Sequence, residues 1–252
     1  MSLLRSFVNA NIKLSKLFDK QFLPSSFRID GNKDFIFKMA PLYLSRGIKI
    51  YDVGGGKQPF LNATKKTELG LTIVGIDISQ QELDRAPIDA YDTTICADIS
   101  NVHGSADGDL VICQAVLEHV QDTEGAIKSI ASLLKPGGKA LIFVPSRNAV
   151  FAQLNILLPE KIKRKILYSV YPSARAAQGF PSFYCRCTPN DFIAIGKRNG
   201  LTEVESRYYY ISSYFSFLFP FYLIWRIWIV LFKVVAGHQA AETFSMVLEK
   251  DA

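Results

Sequence analysis

Cysteine is scarce in this sequence, and the few cysteines present are badly spaced for structural bonds. The 252 residues include four cysteines and no Cys-x-x-Cys pair, and Cys185 and Cys187 are too close together for an ordinary disulfide or a metal clamp. We expect four reduced thiols in a cytoplasmic protein without a metal site. Residues 1–10 carry one arginine and no long apolar core, which predicts no secretory signal.

Internal repeats, low-complexity tracts and long linkers are also missing, so one domain is expected. Apolar residues make up 49% of the chain, which argues against disorder, and the length is ample for one α/β core with appendages. The net charge of +6 is a modest basic bias, but no zinc ribbon, helix-turn-helix or RNA-binding signature accompanies it. Nucleic acid is therefore not the expected partner.

The most informative residues form a strand, a glycine turn and a second strand. Residues 50–59 read I-Y-D-V-G-G-G-K-Q-P, and residues 74–77 read V-G-I-D. This pattern puts Asp52 at the carboxyl edge of a buried strand, and the glycines let the backbone approach a ligand closely. Asp77 at the end of the next strand is placed to accept hydrogen bonds from both hydroxyls of a ribose. The pattern predicts a bound adenosine.

The residues beside the glycines separate two classes of cofactor. A dinucleotide fingerprint needs a third glycine, but Lys57, Gln58 and Pro59 follow Gly56 here. The acid two residues before the first glycine suits a cationic amino acid group better than a pyrophosphate. S-adenosylmethionine carries an ammonium and a sulfonium, so it is the favoured cofactor. An NAD-dependent oxidoreductase ranks last among the alternatives.

Three further segments complete an ordered set of motifs. Residues 95–99 predict the end of a third strand, residues 108–120 a fourth strand with an active-site loop, and residues 133–144 a helix end, a turn and a fifth strand. Together with the D-V-G-G-G turn, the L-E-H-V loop and the L-K-P-G-G turn, the set resembles the class I S-adenosylmethionine-dependent methyltransferases, in particular a small bacterial type-11-like branch. The resemblance implies an α/β fold with a doubly wound, mostly parallel, seven-stranded sheet whose last strand is antiparallel.

The resemblance also implies which residues contact the cofactor. It assigns the methionine end to Asp52, Gly54 and Gly56, the ribose to Asp77, the adenine to Asp98, and the floor near the methyl group to Cys113 and Gln114. Gly55, Ile78 and Ile99 are further candidates for cofactor binding. For each aspartate a second interpretation stays open, because acids at strand ends often cap the following helix.

A hydroxyl acceptor needs a base, and His119 in the predicted active-site loop is the candidate. The alternative is that Glu118 and His119 only shape this loop. His103 and His238 are weaker candidates. In the variable region that builds acceptor pockets in this fold, the candidate lining residues are Tyr184, Arg186 and the tyrosines at 208–210.

Residues 1–44 predict a helical cover in front of the cofactor-binding half at 45–150. Its apolar residues are spaced for one stripe: Leu3, Leu4, Phe7, Ile12, Leu14, Leu17 and Phe18. Its basic residues lie away from that stripe: Arg5, Lys13, Lys16 and Lys20. Packing on the sheet or covering the cofactor cleft is the main expectation, with membrane contact as the alternative.

An acceptor-side basic region is predicted at 151–200, where residues 151–171 form an amphipathic helix. Its basic residues are Lys161, Lys163, Arg164 and Lys165. Such a helix suits an anionic lipid surface, although an ordinary solvated face gives the same pattern.

Residues 201–252 predict two antiparallel final strands, at 201–210 and 242–250, with an apolar helical insertion at 212–236. Because both strands belong to one sheet, the insertion must return to the side it left. We therefore expect a monotopic or re-entrant segment in one leaflet, with Arg226 and Lys233 snorkelling to the headgroups. The alternatives are a homodimer interface or a lid over the substrate pocket.

The expected function is O-methylation of a glycan, lipid-linked or polyprenoid-type acceptor at the inner face of the cytoplasmic membrane. One alternative is a soluble methyltransferase acting on a small molecule such as a quinone precursor. The other is a degenerate methyltransferase domain that serves as a membrane-bound partner subunit. RNA methylation is a minor option.

Overall fold

The computed structural model describes residues 2–159, 180–212 and 215–252, and in these residues one seven-stranded sheet organises the molecule. The strands are β1 (Lys49–Val53), β2 (Thr72–Asp77), β3 (Thr93–Cys96), β4 (Gly108–Gln114), β5 (Leu134–Pro145), β6 (Leu201–Tyr209) and β7 (Thr243–Lys250). Their order is β3-β2-β1-β4-β5-β7-β6, and only β7 runs antiparallel to its neighbours. This confirms the predicted fold class.

Helices cover both faces of the sheet. Those described are α1 (Ser2–Phe22), α2 (Gly31–Asp34), α3 (Ala63–Leu69), α4 (Gln80–Leu83), α5 (Thr123–Leu133), α6 (Val150–Leu157), α7 (Pro189–Arg198) and α8 (Phe219–Ala236). On one face Ile127 and Ile130 of α5 and Phe192 of α7 join the core, and on the other Phe35 and Met39 do so. The central strands read as apolar runs because both of their faces are buried.

The order of the strands reverses between β1 and β4, which are parallel neighbours in the sheet. Successive connections there leave to opposite sides, so a crevice opens outside the carboxyl ends of these strands. Side-chain caps fix the helices that follow: Asn62 accepts from Lys65 N, Asp122 from Gly125 N and Thr188 from Asp191 N. The carboxyl ends of β1 and β4 are therefore the expected place for ligand binding.

The last two strands, β6 and β7, hold the two ends of the insertion next to each other. Tyr209 pairs with Thr243, and the Glu242 amide donates to the Tyr209 carbonyl at 2.8 Å. The chain between them contains α8, as the sequence predicts. The segment 219–240 is long and apolar enough to cross a membrane, with a mean hydropathy of 1.7, and 22% of its apolar window is buried.

The predicted apolar stripe of helix α1 does not pack against the rest of the protein. The residues it buries are Ser15 and Asp19, whereas Phe7, Leu14 and Leu17 are exposed. The reason lies in α8, which meets α1 with polar side chains.

The prediction that Arg226 and Lys233 snorkel is wrong. Arg226 is 1% exposed and pairs with the buried Asp19 of α1. The Lys233 ammonium lies 4.5 Å from the ring centre of Phe27 and 4.3 Å from that of Tyr210. Both cations are therefore held by the protein itself.

The predicted basic helix at 151–171 lies only partly in the described chain. Its start falls in α6, and Lys161, Lys163, Arg164 and Lys165 lie outside the described residues.

Candidate active site

The glycine turn after β1 lies directly under the loop after β4. Gly54 and Gly56 have φ values of 74° and 46°, which favour glycine. A Cβ on Gly54 would lie 2.2 Å from Val116 Cγ2, so a larger residue has no room there. The two loops therefore form one wall at the crevice.

Asp52 braces this turn from inside. Its carboxylate is 4% exposed and accepts a hydrogen bond from Phe60 N at 2.8 Å. The Tyr91 hydroxyl lies 3.3 Å from Asp52 Oδ2 and 3.2 Å from the Gly56 carbonyl oxygen, and so ties the acid to the turn. Burial raises the pKa of Asp52 to about 6. A cationic ligand nearby would favour the ionised form.

Asp77 sits at the end of β2 as predicted. Its Oδ1 accepts from Ser79 N at 2.9 Å, and a Cβ on Gly56 would lie 2.9 Å from its Oδ2. Burial raises the pKa of Asp77, and the charge of Glu82 adds to the effect. Ile78 beside it is exposed, so an acid and an apolar surface lie side by side. This pairing suits a ribose with its attached base.

Asp98 caps the short turn Ile99–Asn101. Its Oδ1 accepts from both Ser100 N at 2.9 Å and Ser100 Oγ at 2.8 Å, and Ile99 is buried. The capping interpretation is thus correct for Asp98. Because both bonds use one carboxylate oxygen, the cap is compatible with the predicted adenine contact, which stays a prediction.

The floor of the crevice is the end of β4. Cys113 is fully buried, and burial raises the pKa of its thiol well above the usual value. Gln114 Nε2 donates to Asn32 Oδ1 of α2 at 2.6 Å. Ala115 follows with a φ of 53°, an uncommon value for a residue with a Cβ, and such values cluster at functional sites.

His119 ends the turn Leu117–His119, and its ring orientation is fixed. Its Nδ1 lies 2.9 Å from the Pro181 carbonyl oxygen and 3.2 Å from Ser182 Oγ. A carbonyl oxygen only accepts, so Nδ1 carries the proton and Nε2 has a free lone pair in the neutral ring. The side chain is partly exposed. This arrangement suits a base that receives a proton at Nε2.

Glu118, expected from the sequence only to shape the loop, has a distinctive environment. This side chain is buried, and Glu118 Oε2 has no hydrogen-bond partner among the described residues. Burial raises the pKa of Glu118 to about 8, which keeps the carboxyl neutral at pH 7. Its carbonyl oxygen accepts from Phe183 N and Tyr184 N, which joins the active-site loop to the segment at 180–187. The L-E-H-V motif was the available signal, but burial cannot be read from it.

The other candidates lie in structural positions. Arg186 pairs with Glu124 and Asp191, and the Tyr209 hydroxyl bonds to Asp34 in the core. His238 Nε2 is 3.0 Å from Asn190 Oδ1. His103 lines a surface groove of about 480 Å³ between the Asp98 turn and α5, away from the glycine turn.

The residues at the crevice fit an adenosylated amino acid. The turn leaves no space for a Cβ at Gly54, the Asp77 carboxylate has an apolar neighbour, and the buried Asp52 has no cation beside it among the described residues. Among the described residues, no group of three or more metal-ligating side chains is found.

Comparison with known proteins agrees with this geometry. The profile of a family described as "methyltransferase domain" matches residues 26–205. A ubiquinone biosynthesis O-methyltransferase of Cupriavidus pinatubonensis is 25% identical over 168 residues, which are 64% of this chain and 63% of that protein. The chain thus spans less than two thirds of this relative's length, and about half of several others.

Two solved structures share the fold. An S-adenosylmethionine-dependent methyltransferase from Mesorhizobium loti aligns with a TM-score of 0.53 and 16% identity, over 83% of this chain and 95% of the other. The Haemonchus contortus phosphoethanolamine N-methyltransferase 2, solved with phosphomonomethylethanolamine and S-adenosylhomocysteine, aligns with a TM-score of 0.54 and 15% identity, over 99% and 61% of the two chains.

Proposed function

The chain belongs to the methyltransferase domain family and is an S-adenosylmethionine-dependent methyltransferase. From this premise we propose that it methylates a hydroxyl group of a polyprenoid-type acceptor, such as a quinone precursor. We propose further that the reaction takes place at the inner face of the cytoplasmic membrane. The observation that carries the proposal is His119, whose Nδ1 bonds the Pro181 carbonyl and whose Nε2 lies 3.8 Å from Glu118 Oε1, too far for a hydrogen bond, so that its lone pair is not engaged there. The names of the relatives support an oxygen nucleophile. The exposed apolar surface of α8 supports an acceptor with an apolar tail.

The protein's own residues have three tasks in this reaction. The glycine turn and Asp77 would hold the ribose and the amino acid end of the cofactor, and the Gln114–Ala115 backbone would shape the floor near its methyl group. The cofactor, when bound, would supply an electrophilic methyl carbon and would leave as the neutral thioether when its carbon–sulfur bond breaks. His119 Nε2 takes the proton of the acceptor hydroxyl as its oxygen attacks that carbon, and the Pro181 carbonyl holds the ring in the required tautomer. The neutral Glu118 carboxyl adds no negative charge at pH 7.

Replacing Asp77 tests the cofactor site. Loss of its charge-assisted hydrogen bonds should weaken S-adenosylmethionine binding about 10-fold to 100-fold, as measured by isothermal titration calorimetry of Asp77→Ala and Asp77→Asn. Asp107→Ala is the matched control, because Asp107 pairs with Lys49 at the opposite end of β1. Equal affinity in wild type and both Asp77 variants would refute the ribose role.

Replacing His119 tests the base. His119→Gln should lower kcat by about 10²-fold to 10⁴-fold while leaving cofactor affinity unchanged. The assay uses a hydroxylated aromatic with an isoprenoid tail, its tail-free analogue and labelled cofactor, with His238→Gln as the control. Full turnover in His119→Gln would exclude the base, and equal kcat/KM for the two acceptors would favour the soluble small-molecule alternative.

A further inference from the structure

Helices α1 and α8 meet through polar side chains. Arg226 Nε donates to Asp19 Oδ1 at 2.9 Å, and the Tyr222 hydroxyl donates to Asp19 Oδ2 at 2.6 Å. Asn11 and Ser15 lie on the same face of α1 as Asp19, eight and four residues before it respectively, and Asn11 Oδ1 accepts from Phe219 N at 2.8 Å. We call this contact the polar seam.

The sides of the two helices that face away from the seam are apolar and exposed. On α1 they present Phe7, Leu14 and Leu17, and on α8 they present Phe221, Ile224, Ile227, Trp228, Leu231, Val234 and Val235, with exposures of 45 to 87%. A groove of about 350 Å³ lies where α8 begins, lined by Leu14, Leu17, Phe18, Gln21 and Phe22 of α1 and by Phe219 of α8. Exposed apolar patches of this kind mark interaction sites. We call these exposed sides the two-helix surface.

The tether of α8 to the sheet excludes a crossing of the bilayer. The insertion leaves the sheet after Tyr209 and returns at Glu242, whose amide donates to the Tyr209 carbonyl. Arg226 near the middle of α8 is bound to Asp19 and to the carbonyl oxygens of Tyr210 and Phe27. A helix held at its ends and its middle lies along a surface, over a length of about 27 Å.

Charge identifies that surface as an anionic bilayer. Lys13, Lys16 and Lys20 follow one another at helical spacing, all exposed, beside the apolar stripe of α1. The only acid of α1 is Asp19, which is buried in the seam, and α8 contains no acid. A second copy of the chain would bring two rows of lysines together, whereas anionic headgroups would attract them.

We propose that the two-helix surface docks the protein in one leaflet of an anionic membrane, with its apolar side chains at the acyl boundary and the lysine row at the phosphates. The proposal deepens the proposed function, on which it rests for the location of the acceptor. Residues 23–30 link α1 to α2, and Asn32 of α2 bonds Gln114 at the crevice floor. Docking therefore holds the edge of the active site next to the lipid surface.

Co-sedimentation with vesicles tests the apolar side. Wild type should bind vesicles of phosphatidylcholine with phosphatidylglycerol, and Leu17→Glu with Trp228→Glu should weaken partitioning at least about tenfold. Ile88→Glu with Val204→Glu adds the same charges at exposed apolar positions outside both helices and should bind as wild type does. Failure of wild type to bind, or equal binding by both double variants, would overturn the proposal.

Charge reversal tests the choice of lipid. Lys13→Glu, Lys16→Glu and Lys20→Glu together should lower binding on the order of 100-fold at low salt. Lys65→Glu, Lys128→Glu and Lys197→Glu change the net charge equally and should retain most of the binding. Equal loss in both triple variants would reduce the effect to net charge and overturn the lysine-row assignment.

Two measurements on the same preparations separate the possible failures. Sedimentation velocity that shows a wild-type dimer dissociated by Leu17→Glu with Trp228→Glu would assign the surface to self-association and overturn docking. Cofactor titration and turnover report on the enzyme independently of lipid. Vesicle binding without turnover on a tailed acceptor would leave docking standing and refute the proposed acceptor, whereas turnover without vesicle binding would do the reverse.

Discussion

The sheet and the α1–α8 pair distribute polarity in opposite ways. In the sheet, the buried residues of β4 are apolar, such as Val111 and Ile112, and polar groups lie at strand ends. In the helix pair, Asp19 and Arg226 are buried and Trp228 and Leu231 face outwards. A helix pair of this kind is stable when its outer surroundings are less polar than its seam. The difference is that the sheet buries apolar side chains, whereas the helix pair buries an ion pair and exposes apolar side chains.

The buried acids of the molecule also differ in whether a cation is their main partner. Asp19 has a cation as its partner, whereas Asp52, Glu118 and Glu242 are buried mainly against neutral groups. Burial raises the pKa of these three to about 6, 8 and 7, and for Glu242 the nearby Arg226 charge only partly offsets it. The seam therefore holds a paired acid, as does the sheet at Asp34 with Arg207, whereas Asp52, Glu118 and Glu242 have raised pKa values.

The largest expected effect comes from breaking the seam. Asp19→Ala leaves the Arg226 charge buried without its counterion and should lower the free energy of unfolding by about 3–5 kcal/mol. Asp19→Leu with Arg226→Met should recover most of that loss, because an apolar pair replaces the buried charges. Urea denaturation followed by circular dichroism measures both. A loss below about 1 kcal/mol in Asp19→Ala would mean that the seam does not stabilise the fold.

A second effect arises where the regions meet, at Glu242 before β7. Glu242 Oε1 accepts from Trp225 Nε1 of α8 at 3.2 Å, and burial raises the pKa of Glu242 from 4.5 to about 7. Between these pH values the folded state keeps a proton that the unfolded state releases, so stability falls as pH rises and levels off above about 7.

Glu242→Gln should remove this slope, a change on the order of 3 kcal/mol between pH 4.5 and pH 7.5. Thermal denaturation across that range measures it, with the exposed Glu68→Gln as the control. If Glu242→Gln and wild type show parallel pH profiles, the junction does not titrate in this range.

The smallest effect tests the glycine turn. Gly54→Ala places a methyl group against Val116 and should cost about 1–3 kcal/mol while weakening cofactor binding. Adding Val116→Ala should restore part of both losses, because it removes the atom 2.2 Å away. Calorimetric titration together with denaturation tests this coupling, and strictly additive losses would count against contact between the two loops.

Local patterns were enough to predict the sheet and the position of its crevice. The glycine turn with Asp52 and Asp77 specifies two strand ends, and the apolar alternation specifies β6 and β7. The outward orientation of α1 could not be predicted, because periodicity shows that a stripe exists but not what covers it. The pairing of Asp19 with Arg226 spans 207 positions, and nothing local signals it. The isolation of Glu118 depends likewise on packing by segments distant in sequence.

The two ends of the insertion after β6 are adjacent in the sheet, which bears on how the insertion could have arisen. Because Tyr209 and Glu242 are already in hydrogen-bond contact, residues 210–241 could be gained or lost as a cassette without shifting the register of β6 and β7. The buried arginine of that cassette needs its counterion from α1, at the other end of the polypeptide. Loss of the cassette would therefore leave the carboxylate of Asp19 without its partner.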